Sequence, residues 1–354
     1  MSNPRVFVFA PTGGGTREIE EAGCTLVFGS ASWLTPQGNS EDEMCIMARD
    51  ADALTGASIR SSPITGKVME SAPNLRIIAK STVGVDDVDI EAATDRGILV
   101  THAPTEATYI GVAEGTMGIM LTLLKKTREK DDAVKRGQWR DRALQCVSLG
   151  KRRDGHSGIT VGIVGLGRIG CRFAQLLAPW RVRILACDPY VEASRFILND
   201  VEQVDLDTLL KESDVVSLHV VLTRETRHMI GAGQLALMKQ DAVLVNTSRG
   251  AVVDEKALVE ALRMGRISAG LDVFEDEPLA PDSPLLKMGH RVLLSPHMVS
   301  ASADTGELRP GGEWSNRAVL TALKGEVPDY VYNKEVIPRW RERFGGHRVI
   351  FTTS

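Results

Sequence analysis

Gly165-Leu166-Gly167-Arg168-Ile169-Gly170 follows directly on the apolar run Thr160-Val161-Gly162-Ile163-Val164 and opens an amphipathic segment that ends near Leu177. A buried strand that passes through a tight glycine turn into a helix has few ways to fold. The G-x-G-x-x-G spacing in that setting marks the first strand–helix turn of a dinucleotide-binding α/β unit. The glycines alone carry little weight, because such matches arise by chance; their place between strand and helix is what counts. Gly165 permits the turn, and Gly167 lets backbone approach a pyrophosphate. Arg168 and Ile169 begin the helix whose N-terminus faces that anion, and Gly170 allows close helix–strand packing. The next β-rich run, residues 182–187, ends at Asp188, near the roughly 20-residue offset at which a carboxylate meets the adenosine ribose. A carboxylate there accepts from both ribose hydroxyls and repels a 2′-phosphate. The expected cofactor is therefore NAD rather than NADP.

The alternation extends over the whole chain. Strands are expected at 6–10, 25–28, 53–54, 77–79 and 98–100, with helices at 16–22, 42–48, 67–71 and 89–95. A long apolar-rich helix at 110–125 and a charge-dense stretch at 127–158 follow. Strands then return at 160–164, 182–187, 215–219, 243–245, 269–271 and 292–294, with helices at 168–177, 206–212, 234–238 and 255–264. The last helix is well signalled: Asp254 suits the N-cap, and Leu258, Ala261 and Leu262 share one face. Such alternation predicts parallel sheets with helices on both faces, and 354 residues suffice for two units.

Composition narrows the classes of function. The formal charge of −4 gives no reason to expect nucleic acid or an anionic membrane as partner, and Lys151-Arg152-Arg153 is the only run of three consecutive basic residues. Cys24, Cys45, Cys146, Cys171 and Cys187 are scattered, with no C-x-x-C and no Cys/His ligand spacing, so neither a metal site nor a disulfide framework is expected. An odd cysteine count without a secretory signal fits a cytoplasmic protein. No stretch reaches the roughly 20 apolar residues expected of a bilayer span.

Three later strand ends carry reactive residue types. Asn246-Thr247-Ser248-Arg249-Gly250, Asp272-Val273-Phe274-Glu275-Asp276-Glu277-Pro278 and Ser295-Pro296-His297 each follow a predicted strand, at the sheet edge where open α/β folds bind ligands. Reduction of a 2-oxo acid needs a proton donor at the carbonyl oxygen, and histidine suits that reversible task. A carboxylate beside it orients the ring. A guanidinium grips the substrate carboxylate with two parallel hydrogen bonds and polarises the carbonyl. Any one of these residues taken singly is an ordinary surface group; the convergence of three strand ends beside a dinucleotide loop is the signal.

These segments, together with Leu218-His219-Val220-Val221-Leu222-Thr223, resemble the D-isomer-specific 2-hydroxyacid dehydrogenase family over residues 74–333. The resemblance implies two Rossmann-like or flavodoxin-like parallel-sheet domains with an active-site cleft between them. Residues 1–105 plus 299–354 would form the substrate-binding domain and residues 106–298 the NAD-binding domain, with hinges near Pro104 and Met298. It implies that His297 is the acid/base, Glu277 its partner and Arg249 the substrate-binding arginine. Asp272 would contact the nicotinamide carboxamide, and His219, Thr223, Thr247 and Thr116 would be further cofactor contacts. Ser81-Thr82-Val83-Gly84-Val85-Asp86 resembles the substrate-carboxylate loop, in which Thr82, Val83 and Gly84 line a backbone nest. The helix at 110–125 would lie in a homodimer interface, or else simply in a core.

The match departs from the family at four places. His102 stands where many relatives have Asn, and Met298-Val299-Ser300 is bulkier than usual. Arg309-Pro310-Gly311-Gly312 should break a helix. The tail from Asn333, with Trp340 and several arginines, is long enough to fold across the cleft. Glu277 disfavours a formate-type enzyme, which carries Gln there. Glyoxylate, hydroxypyruvate, larger 2-oxo acids and phosphite stay open, with loops near Trp33, 81–85 and the tail deciding among them. An NAD(H)-sensing, corepressor-like binding protein is the alternative from a different class.

Overall fold

The computed structural model describes residues 3–350 apart from 14, 33–37, 58–61 and 301–308, so the expectation for Trp33 lies outside the described residues. The chain divides into two compact units, Met1–Thr108 with Ala301–Ser354, and Tyr109–Ser300.

In the first unit β1 (Arg5–Ala10), β2 (Thr25–Phe28), β3 (Ala53–Gly56), β4 (Ile77–Lys80) and β5 (Leu99–Thr101) form a parallel sheet in the order β2-β1-β3-β4-β5. That is the flavodoxin-like order. Alternate residues feed two cores. Phe7, Phe9, Leu54 and Ile78 face one side, while Val6, Val8, Ala53, Ile77 and Ala79 pack with Val319, Leu323 and Trp340 on the other. Three of its helices start on side-chain caps: Ser40 with Glu43 forms a capping box, and Thr65 and Asp89 cap the next two.

The second unit carries β6 (Thr160–Val164), β7 (Arg183–Cys187), β8 (Glu202–Gln203), β9 (Val215–Leu218), β10 (Ala242–Asn246), β11 (Ile267–Leu271) and β12 (Val292–Leu294). They lie parallel in the order β12-β11-β10-β9-β6-β7-β8. The order in which strands are added reverses between β6 and β9, which is where a doubly wound sheet opens a ligand crevice beyond the carboxyl ends of its strands.

Three expectations change. First, the helix Glu106–Leu124 is long and apolar enough, by length and composition, to cross a membrane. Its Ala113, Ile119, Met120 and Leu123 pack instead with Val161, Ile163 and Val245 of the seven-stranded sheet, as a core helix does. Second, the described helix Arg309–Leu323 runs uninterrupted through Pro310, Gly311 and Gly312. Gly311 is there because an added Cβ would come within 1.9 Å of Ser81 O. Third, the described part of the tail packs on its own unit, away from the 81–86 loop. Trp340 is fully buried and donates from Nε1 to Arg76 O at 2.9 Å, while Arg76 reaches His347 O at 2.6 Å. Arg343 donates to Arg96 O and Pro73 O. These partners precede β4 and β5, at the amino end of the sheet, whereas the 81–86 loop leaves the carboxyl end of β4. The guanidinium of Arg343 is thereby engaged by backbone carbonyls.

Candidate active site

The nucleotide loop shows three separate reasons for glycine. Gly165 has φ +93°, and a Cβ there would sit 2.8 Å from the His219 carbonyl. At Gly170 a Cβ would come within 2.2 Å of Gly165 O, so the helix Arg168–Leu177 could not approach its strand. At Gly167 nothing lies within 4 Å, leaving an open flank at a helix N-terminus that has no side-chain cap. An uncapped N-terminus beside open space suits a pyrophosphate. Arg168 is exposed on the first turn, and Ile169 packs partly into the core. Asp188 Oδ2 accepts from Leu166 N at 2.8 Å and Oδ1 from Tyr190 N at 3.0 Å, which fixes the carboxylate beside the loop with lone pairs to spare. These residues fit a dinucleotide.

His219 directly follows β9. Its ring packs on Phe173 with centroids 5.5 Å apart, Nε2 meets Ser217 Oγ at 3.0 Å, and Nδ1 is sealed without a partner among the described residues. Burial pushes its pKa down to about 3. The sign follows from linkage: between pH 3 and 6.5 the unfolded chain holds a proton that the folded chain refuses, so stability falls as pH drops below 6.5. At pH 5 this costs about 2 kcal/mol. His219→Gln is expected to remove that part of the stability lost between pH 7 and 5 in urea unfolding; an unchanged difference would refute it. Thr223 lies on the exposed loop beyond, where its Oγ1 accepts from Glu225 N and Thr226 N, both at 3.2 Å.

At the carboxyl end of β10, Asn246 organises the turn that carries Arg249. Its Oδ1 accepts from Ser248 N (3.0 Å) and Oγ (2.8 Å), and its Nδ2 donates to Arg249 O at 2.9 Å. Thr247 Oγ1 lies 2.9 Å from Thr116 Oγ1, which donates to Val112 O, so both hydroxyls are buried in a pair that joins the turn to the Glu106–Leu124 helix. Gly250 touches the next loop: a Cβ there would stand 1.9 Å from Phe274 C. The arginine turn and the acidic loop are thus in backbone contact.

The acidic loop and the histidine meet directly. His297 Nδ1 lies 2.9 Å from Glu277 Oε2, and Glu277 Oε1 accepts from Phe274 N at 3.0 Å. With Nδ1 turned to the carboxylate, Nε2 is the nitrogen available to a substrate. His297 has φ +55°, a sparsely populated conformation for any residue but glycine. Asp272, at the end of β11 and 1 % exposed, holds it there. Its oxygens accept from Met298 N at 3.0 Å and Val299 N at 3.2 Å. Burial raises the Asp272 pKa, against the hydrogen bonds it receives. Asn246 was missed as an organiser, although an Asn opening a Ser-containing turn is a legible Asx-turn signal. In the first unit the 81–86 loop leaves β4, with Val83 exposed and Thr82 Oγ1 bonded to Gly84 O at 3.2 Å.

Known proteins resemble this chain in sequence and in fold. Residues 117–299 match the model of the D-isomer specific 2-hydroxyacid dehydrogenase NAD binding domain. A glyoxylate reductase of Korarchaeum cryptofilum is 41 % identical over 341 residues, covering 94 % of this chain and 97 % of that protein. The crystal structure of D-lactate dehydrogenase from Aquifex aeolicus, complexed with NAD and lactic acid, superposes with TM-score 0.77 at 29 % identity, covering 95 % of this chain and 98 % of that one. An NADPH-dependent glyoxylate/hydroxypyruvate reductase from Sinorhizobium meliloti, in complex with NADP and malonate, gives TM-score 0.75 at 28 % identity, covering 94 % and 98 %. The chain belongs to the D-isomer-specific 2-hydroxyacid dehydrogenases, NAD-dependent oxidoreductases that act on the CH–OH group of small 2-hydroxy acids.

Proposed function

We propose that this enzyme interconverts a small 2-oxo acid and its D-2-hydroxy acid, with His297 as acid/base, Glu277 as its orienting partner and Arg249 as the carboxylate anchor. The 2.9 Å contact between His297 Nδ1 and Glu277 Oε2 carries this reading. A carboxylate that accepts from Nδ1 fixes the tautomer and ring plane, and it stabilises the imidazolium that must give its Nε2 proton to the carbonyl oxygen. Arg249, on a turn tied by Asn246, meets the substrate carboxylate and draws electron density from the carbonyl. Backbone N–H groups of Val83 and Gly84, beside Thr82, receive a carboxylate oxygen as a nest does. Bound nicotinamide supplies or accepts the hydride.

For the cofactor, Gly165, Gly167, Arg168, Ile169 and Gly170 are the pyrophosphate loop and Asp188 the ribose acceptor. The fixed negative charge of Asp188 supports NAD over NADP. Thr116, Thr247, His219 and Thr223 line the remainder, and Asp272 acts on the nicotinamide end. In this scheme residues 106–298 are the cofactor domain and residues 1–105 with 299–354 the substrate domain. The five free thiols fit a reducing, cytoplasmic setting, and a homodimer is the proposed assembly, checked by light scattering.

Glyoxylate and hydroxypyruvate come first in the test, since relatives named for glyoxylate reduction cover nearly the whole chain. NADH and NADPH absorbance would be followed across a panel of 2-oxo acids. Turnover with a small 2-oxo acid, faster with NADH, is the expected result. No turnover across the panel with NADH binding intact would overturn the substrate assignment.

A further inference from the structure

Lys80, the last residue of β4, is one of the largest fully buried side chains in the molecule. Its ammonium lies 2.6 Å from Asp87 Oδ2, donates to Ala57 O at 3.1 Å, and sits 4.5 Å from the centre of the Phe9 ring. The two side chains are 0 % and 1 % exposed. Burial pulls the Lys80 pKa down, and Asp87 opposes that. A buried ion pair is a weak source of stability, because desolvating both charges offsets most of their attraction. Its presence here points to position instead.

The loop that begins at Ser81 ends at Asp87, so the pair closes the loop across its base. The first limb is already tied: Ser81 N donates to Gly56 O at 2.9 Å, Ala103 N to Thr82 O at 2.9 Å, and Ser81 Oγ meets Ser315 Oγ at 2.9 Å. The returning limb is held by Ile64 N on Asp87 O at 2.8 Å, by Val88 N on Val85 O at 3.0 Å, and by Lys80. Between these limbs Val83 stands exposed.

We propose that the Lys80–Asp87 ion pair is a positioning element that staples the 81–87 loop at its base, holding the Val83 and Gly84 N–H groups ready for the substrate carboxylate. This rests on the assignment of that loop to substrate made above. Neither residue touches substrate; both act through the loop. A nest fixed before binding saves the ordering cost at the moment of association, and the saving appears in affinity rather than in the chemical step.

The test compares the native enzyme with two uncharged replacements, Lys80→Met/Asp87→Asn and Lys80→Met/Asp87→Leu. Melting temperature, kcat, KM for the 2-oxo acid, KM for NADH, and binding of oxamate in the presence of NADH are measured. In a replacement that melts near the native temperature, KM for the 2-oxo acid and Kd for oxamate are expected to rise about tenfold or more. The values of kcat and KM for NADH stay within about twofold, because the chemical step and the other unit are untouched. A folded replacement with native KM, or one whose loss is shared equally with NADH, overturns the proposal. So does failure of both replacements to fold, which makes the pair a requirement of the fold rather than of the loop. An error in the substrate assignment shows separately: the native enzyme then neither turns over a 2-oxo acid nor binds oxamate, and the staple falls with it.

Discussion

His297→Asn is expected to lower kcat/KM for the 2-oxo acid by about 10²–10⁴-fold while leaving NADH binding nearly unchanged. The range is that of losing a positioned general acid. Asparagine is the informative replacement because His297 sits at φ +55°, a conformation Asn tolerates better than other non-glycine residues. Backbone strain then stays constant, and so does the pair of hydrogen bonds by which Asp272 holds Met298 N and Val299 N. The effect is chemical rather than structural, and an unchanged melting temperature should show it. Glu277→Gln keeps the shape of the partner and removes its charge, so its loss should be smaller and fall mainly on kcat. A His297→Asn enzyme within fivefold of native would mean that another group donates the proton.

Much of this arrangement is legible in the sequence, for physical reasons that differ along the chain. Residues 160–164 and 168–177 emerge as β6 and the helix after it with the expected ends, because Gly165 and Gly170 answer the steric demands of the turn and of helix–strand packing while Gly167 leaves the helix N-terminus open. His297 and Glu277 are legible because each follows a strand of a parallel sheet, and such ends share one edge. What escapes is of two kinds. The helix Thr127–Lys135 has no side-chain cap and buries only Ala133, so it carries neither a start signal nor an apolar stripe. The other kind is long-range. Nothing near Trp340 announces that its indole will donate to Arg76 O, 264 residues away in sequence. Likewise nothing in the sequence around Lys80 announces that its ammonium will lie against the ring of Phe9 and the carboxylate of Asp87. Gly311 shows the same limit from the opposite side: it is a helix breaker by propensity, yet a contact with Ser81 O requires it.

Arg249→Lys should cost about 10²–10³-fold in kcat/KM for the 2-oxo acid, a loss close to that from removing a preorganised transition-state donor. Charge is conserved in this substitution, so any large effect belongs to geometry. Guanidinium offers a planar fork that matches a carboxylate with two parallel bonds, whereas an ammonium is a compact point charge on a flexible stem. The turn that presents Arg249 is built to be rigid. Asn246 holds Arg249 O and Ser248 N, Arg249 Nη1 donates to Ser248 O at 2.7 Å, and Gly250 lies against the backbone of Phe274. A lysine on the same backbone is shorter and cannot reproduce the fork, and the rigid turn will not move to compensate. Because polarisation of the carbonyl grows as hydride arrives, the loss should appear in kcat as well as in KM. NADH affinity and melting temperature should stay near native, since the Thr116–Thr247 pair that ties the turn to its helix is untouched. An Arg249→Lys enzyme that loses less than about fivefold would reduce the guanidinium to a general electrostatic attractor.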